Sequence, residues 1–151
     1  MIAVTDRPSV SSSSLQCRPG DPRRAELIER ARHLRPIDQV IVELSLGRDL
    51  SFRQIGLIVQ LQPGAVWRRL ECSRRRLQNP VSVVLTARSC KLPPDVRALG
   101  IAHFLRGESI AELATTFGIY QAKARRTLQF LRGFCSGQLV AQEHFVERAI
   151  D

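Results

Sequence analysis

The chain repeats itself. When the 151-residue sequence is slid along itself by 58 positions, the interval from Ser51 to Ser109, Leu34 falls on Leu92, Pro36 on Pro94, Ile41 on Leu99, Arg48 on Arg106, Ile55 on Leu113, Gly56 on Ala114, Leu61 on Ile119, Arg68 on Arg126 and Leu70 on Leu128, with no gap. A gapless match fixes helix starts, turns and buried positions at one spacing, so the two copies must build the same supersecondary unit. Any fold proposed for one has to serve the other.

Local signals in the first copy describe that unit. Ser51 is placed to cap a helix, and Gln54, three residues on, is placed to reach back to the Ser51 amide, which satisfies two orphaned helix-start donors reciprocally. Phe52, Ile55, Ile58 and Val59 follow at helical spacing. The step from Gln60 to Gly64 turns the chain, and Pro63 suits the first turn of a new helix, where its missing N–H has no partner to lose. On that helix Val66, Leu70, Ser73 and Leu77 share a stripe about 40° wide, and Gly64, Arg68, Glu71 and Arg75 lie opposite. One face is predicted to be buried and the other basic. In the second copy Ser109 and Glu112 make the same box, Gly118 ends the helix in the left-handed conformation, and a new helix begins near Tyr120 or Gln121. Its inward stripe is Ala124, Leu128 and Leu131; Ala122, Arg126 and Gln129 face outward, flanked by Lys123 and Arg125.

Upstream, Asp21-Pro22 is a cap followed by a first-turn proline, and Ala25, Leu27, Ile28, Ala31 and Leu34 recur at helical spacing. Pro36 opens a further helix with Val40, Ile41 and Leu44 inward and Gly47 closing it. The prediction is an all-α chain of two tandem three-helix helix-turn-helix units. Residues 1–20, rich in Ser and Pro, are expected to form a disordered arm, because so few large apolar groups cannot offset the entropy of ordering. The first unit with its leading helix spans 21–78 and the second 92–134. The join at 79–91 is apolar and β-branched, which fits a buried helix capped by Asn79 or an extended strap. In the tail, 135–151, Cys135-Ser136-Gly137 is expected to be flexible, and the helical pattern from Gln138 to Ile150 either packs on the second unit or pairs with another copy of the chain as a homodimer.

Composition enters where a partner has to be named. The 23 Lys and Arg against 14 Asp and Glu leave a net charge of +9, which favours a polyanion. Double-stranded DNA is the first candidate; a membrane is not, because no run approaches the ~18 apolar residues a crossing needs. Cys17, Cys72, Cys90 and Cys135 are far apart, and His33, His103 and His144 do not stand near them in ligand spacing, so neither a metal site nor a disulfide framework is predicted. The opening residues lack the charged start and apolar run of a secretory signal, which suits a cytoplasmic protein. Acidic residues are dispersed, no nucleophile and base stand together, and there is no Gly-rich phosphate loop; neither catalysis nor a cofactor is predicted.

Residues 34–77 resemble region four of the extracytoplasmic-function sigma factors of bacteria. The resemblance is carried by Leu34 and Pro36, by Leu50, Ser51 and Phe52 before the second helix, by Ile55 and Gly56 within it, and by Gly64, Val66, Arg68, Leu70 and Leu77. Residues 92–132 are similar, with Ala122 in place of Gly and Ala124 in place of Val. The likeness implies a fold that reads the −35 promoter element and touches RNA polymerase. The sequence before Leu34 does not resemble the larger sigma domain that melts DNA, so the expectation is region-four-like units without that part. Trp67 stands where the family has a small basic or polar residue.

A helix entering the major groove touches base edges with its first residues and phosphates with its flanks. Arg68 and Arg126 are the expected base readers, with Gly64, Trp67, Gln121 and Gln129 at the same interface. Arg69, Arg74, Arg75, Arg76, Lys123, Arg125 and Arg132 are expected at phosphates, together with Arg53 on the preceding helix. An Arg-rich helix face on its own is ordinarily just solvated; its coincidence with a helix-turn-helix pattern in both copies is what favours a DNA-binding transcription regulator. The alternative is a protein-binding module, an anti-activator or a polymerase-associated regulator, that keeps the fold and captures a protein. Both units look competent for DNA, so one chain should span two successive major-groove faces about 10 base pairs apart.

Overall fold

Among the described residues, prolines open five of the eight α-helices. The computed structural model describes residues 22–148, with side chains described as far as Gln138. Every regular element among them is helical: α1 (Pro22–Ala31), α2 (Pro36–Val42), α3 (Phe52–Val59), α4 (Pro63–Gln78), α5 (Pro80–Thr86), α6 (Pro94–Phe104), α7 (Ile110–Phe117) and α8 (Gln121–Arg148), with a π-helical run, Glu43–Gly47, continuing α2. The expected arm at 1–20 lies outside the described residues. No described helix is long and apolar enough to cross a membrane.

The sequence repeat is also a backbone repeat. Both capping boxes form: the Gln54 amide donates to Ser51 Oγ at 3.3 Å and the Ser51 amide to Gln54 Oε1 at 2.9 Å, while Ser109 and Glu112 do the same at 3.3 and 2.6 Å. The turns match bond for bond. Leu61 N–H reaches Gly56 O at 3.0 Å and Ile119 N–H reaches Ala114 O at 3.0 Å; Leu50 to Leu44 O and Glu108 to Ala102 O are 3.1 and 3.0 Å. All positive-φ positions among the described residues fall into two repeat-related pairs, Asp49 (54°) with Gly107 (71°) and Gln60 (58°) with Gly118 (61°). Gln60 therefore adopts at a steric cost the left-handed cap that Gly118 adopts freely.

The structure extends the repeat. The expected join is helical, with Asn79 Oδ1 accepting from Val81 N–H at 2.9 Å, and α5 is the counterpart of α1, Pro80 falling on Pro22 and Leu85 on Leu27. Each half thus has four helices, the first of which packs against the last. Nor does the chain break near residue 134: α8 runs through Gly133 and Gly137 without interruption, in place of the flexible Cys135-Ser136-Gly137. Cys135 is fully buried at the position equivalent to Leu77, and Ser136 Oγ bonds back to Arg132 O at 2.8 Å, so burial and a local bond outweigh two poor helix formers whose missing side chains face open space. Val40, expected inward, is exposed; Ile41 and Val42 take the core side.

Two apolar clusters result. One gathers Leu34, Ile41, Ile55, Val66, Leu70 and Leu77, the other Leu85, Leu99, Leu113, Ala124, Leu128 and Leu131. The join between halves is apolar too: Leu105, from the end of α6, belongs to the first cluster, and Ile101 packs against both. Beside it Arg106 Nε donates to His33 O at 3.3 Å, and Gly107 lies so close to the Arg76 guanidinium that a Cβ would collide with it.

Candidate nucleic-acid interface

The cores decide which side chains face out. On α4, burial of Val66, Leu70, Ser73 and Leu77, the predicted stripe, turns Gly64, Arg68 and Arg75 to solvent. Gly64 borders open space, Arg53 is exposed on α3, and the Trp67 indole is 41% exposed at the helix edge. On α8, burial of Ala124, Leu128 and Leu131 turns out Gln121, Lys123, Arg125, Arg126 and Gln129. Arg68 and Arg126, the expected base readers, thus occupy equivalent exposed positions one turn into their helices.

Several expected phosphate ligands are engaged within the fold. Arg69 Nη1 bonds Asp38 Oδ1 at 3.0 Å and ties α4 to α2; the carboxylate side chain is 7% exposed, so the guanidinium compensates a buried charge. Arg74 holds Glu71 through two bonds, Nη2 to Oε1 at 2.6 Å and Nε to Oε2 at 3.2 Å, in the fork geometry that makes such pairs specific. That hydrogen bonding holds the Glu71 carboxyl below its ordinary pKa and raises that of Arg74. Arg76 is half-buried against Gly107 at the join, and Arg132 stacks its guanidinium 5.7 Å above the Phe104 ring. Arg75 keeps a long contact of 3.7 Å to Glu71 with its side chain 77% exposed.

The second helix is less encumbered. Lys123, Arg125 and Arg126 form no ion pair among the described residues; Arg126 Nε makes only a long bond of 3.4 Å to Ala122 O of its own helix. No acid stands between Tyr120 and Arg132.

Some of this was within reach of sequence. Glu71 with Arg74 and Arg75 is an i, i+3 and i, i+4 pattern that a helix brings together. The Asp38–Arg69 pair, 31 residues apart, carries no such signal. Ile58, one of the apolar residues at helical spacing on α3, is 55% exposed, and its neighbour Leu57 is 82% exposed. The equivalent positions on α7 are Thr115 and Thr116. No family model matches the chain, nor does any curated protein or solved structure.

Proposed function

We propose that the chain is a sequence-specific transcription regulator that binds double-stranded DNA through two helix-turn-helix units resembling sigma region four, α2–α4 and α6–α8. The observation that carries the reading is the twofold occurrence of one arrangement: a boxed helix, a left-handed turn and a second helix whose first turns present an exposed arginine at an equivalent place, Arg68 and Arg126. A guanidinium so placed donates two parallel hydrogen bonds to guanine in the major groove. The helix start beneath it adds orphaned N–H groups and a positive dipole end that attract phosphate. The net charge of +9 supplies the general attraction.

The test is a footprint with the purified chain, joined to affinities for a mixed-sequence duplex across a salt series. Expected are a protected site longer than one helix-turn-helix covers and a log–log salt slope of roughly −0.9 per phosphate neutralised. Absence of binding, or binding that salt does not weaken, removes the proposal. In that event the exposed Leu57 and Ile58 favour the second reading, a module whose apolar α3 face captures a transcription regulator or RNA polymerase.

A further inference from the structure

Two similar backbones carry dissimilar outward faces. At the positions of a recognition helix that look into the groove, α4 offers Gly64, Trp67, Arg68 and Glu71, and α8 offers Ala122, Arg125, Arg126 and Gln129, with Lys123 beside them. Trp67 can donate one hydrogen bond and accept none, and Glu71 is already engaged by Arg74. Only Arg68 of that set is both charged and unpaired among the described residues. On α8 three exposed cations stand free of any acid, and the Gln129 amide, which both donates and accepts, replaces the carboxylate.

Two other exposed cations of the first unit sit elsewhere. Arg53, at the start of α3, is exposed where the second unit has Ala111, and Arg75, late on α4, is exposed where the second unit has Gly133. Neither lies in the early turns that reach base edges; both lie at the flanks, where a docked helix pair meets the sugar-phosphate backbone.

We infer that the two units divide the work of one DNA site: the second reads most of the bases, through Lys123, Arg125, Arg126 and Gln129, and the first, with Arg68 alone to reach a base edge, chiefly grips the phosphate backbone through Arg53 and Arg75. The inference rests on the DNA-binding proposal above. It also replaces the expectation that both helices read sequence equally. The helical join through Leu105 and Ile101 gives the division a mechanical basis, since a grip by one unit fixes where the other meets the groove.

The experiment uses the full chain and a pool of random-sequence duplexes, selected for binding to the wild type and then to Arg126→Ala, Lys123→Ala, Arg68→Ala, Arg53→Ala and Arg75→Ala. All five side chains are exposed, and thermal melts by circular dichroism verify that the variants fold. Arg126→Ala is expected to erase preference at one or two base positions and to weaken the selected duplex about ten- to hundredfold, with far less effect on unselected DNA. Arg53→Ala and Arg75→Ala should weaken selected and unselected DNA by the same factor, leave the preferred sequence unchanged, and reduce the salt slope by about one each, while Arg68→Ala should relax preference less than Arg126→Ala does. If Arg68→Ala erases the preference and Arg126→Ala leaves it intact, the division is overturned while the DNA proposal stands. The same holds if the wild type binds every duplex with a steep salt slope and selects none. Failure of the wild type to bind any duplex removes the proposal itself and the division with it.

Discussion

The two halves share a backbone and close their interiors by different chemistry. In the first, Arg24 Nη2 bonds Asp49 Oδ1 at 2.7 Å, linking α1 to the turn before α3, and Asp38 bonds Arg69 across α2 and α4. In the second, Ser82 and Gly107 stand at the positions of the first pair, and Val96 and Thr127 at those of the second. Each time both members differ together. Removing one partner of a part-buried ion pair strands a charge, whereas replacing both leaves a neutral site that closes around smaller groups. Val96 packs on the second cluster, and Thr127 turns its hydroxyl to Lys123 O of its own helix at 2.9 Å. Gly107 adopts positive φ without strain, where Asp49 incurs roughly 1–2 kcal/mol and has Arg24 to offset it. The exchange is incomplete at one atom: Ser82 Oγ is buried with no hydrogen-bond partner. The lesson is that what repeats is the path of the chain, and that contacts across it vary in touching pairs.

The largest effect is expected where the halves meet. Leu105→Ala should cost about 2–4 kcal/mol, in the range for a fully buried leucine, and should separate two unfolding transitions that otherwise coincide. Trp67 is the single tryptophan and reports on the first half, so urea melts followed by its fluorescence and by far-UV circular dichroism measure the separation. Coincident transitions in the variant would mean that the halves are coupled by something other than this leucine.

Next in size is the Asp38–Arg69 pair. Asp38→Ala should cost about 1–3 kcal/mol, below the value for a fully buried pair because the Arg69 side chain is 43% exposed. The double change Asp38→Val with Arg69→Thr, which writes the second half's chemistry into the first, should recover at least half of that loss. A double-mutant cycle by urea denaturation decides it; strict additivity would break the comparison.

The caps should behave alike, because their geometry is alike. Ser51→Ala and Ser109→Ala are each expected to cost about 1 kcal/mol, seen as faster native-state hydrogen exchange in α3 and α7 respectively. Unequal losses would show that one box depends on its surroundings, the natural suspect being Arg35: the Glu112 carboxyl is held below its ordinary pKa first by its hydrogen bonds with Ser109, and the charge of Arg35 from the other half adds a smaller pull the same way.

The smallest effect is a pH dependence at the join. Burial first, then the charges of Arg97 and Arg106, lower the His33 pKa below 6.5, against an opposing pull from Glu29. The unfolded chain therefore binds this proton more readily than the folded one. The contribution of neutral His33 to stability is present above pH 6.5 and is lost as pH falls below it. Melting temperatures from pH 7.5 to 5 should decline for the wild type and decline less for His33→Gln.

Much of this architecture was legible because its signals are short in range. The boxes at Ser51 and Ser109, the first-turn prolines and the stripe from Val66 to Leu77 each depend on residues within a few turns of one another. The start of the repeat was read too late, at Leu34, because α1 and α5 share Pro22 with Pro80 and Leu27 with Leu85 but little else along their lengths. Cys135-Ser136-Gly137 read as flexible because propensity is local, while Cys135 is fully buried on an α8 that packs against α5, far away in sequence. The candidate interface was legible in its exposed arginines, Arg68 and Arg126. The sequence carried no sign of the neighbours of Arg69, Arg76 and Arg132, since Asp38, Gly107 and Phe104 are brought to them only by the tertiary fold.

The join between the halves is head-to-tail: the corner after α6, with Leu105, Arg106 and Gly107, seats on a surface of the first half that includes His33 and Arg76. Contacts of that kind have no intrinsic end, and in solenoids they add unit after unit until a divergent terminal repeat stops them. Here the stop is written at the equivalent corner of the first half. Gly47 stands in the place of Leu105, and Asp49, in the place of Gly107, is bound back to Arg24. That corner has no leucine to insert, so a further copy stacking by the same joint would find its anchor missing.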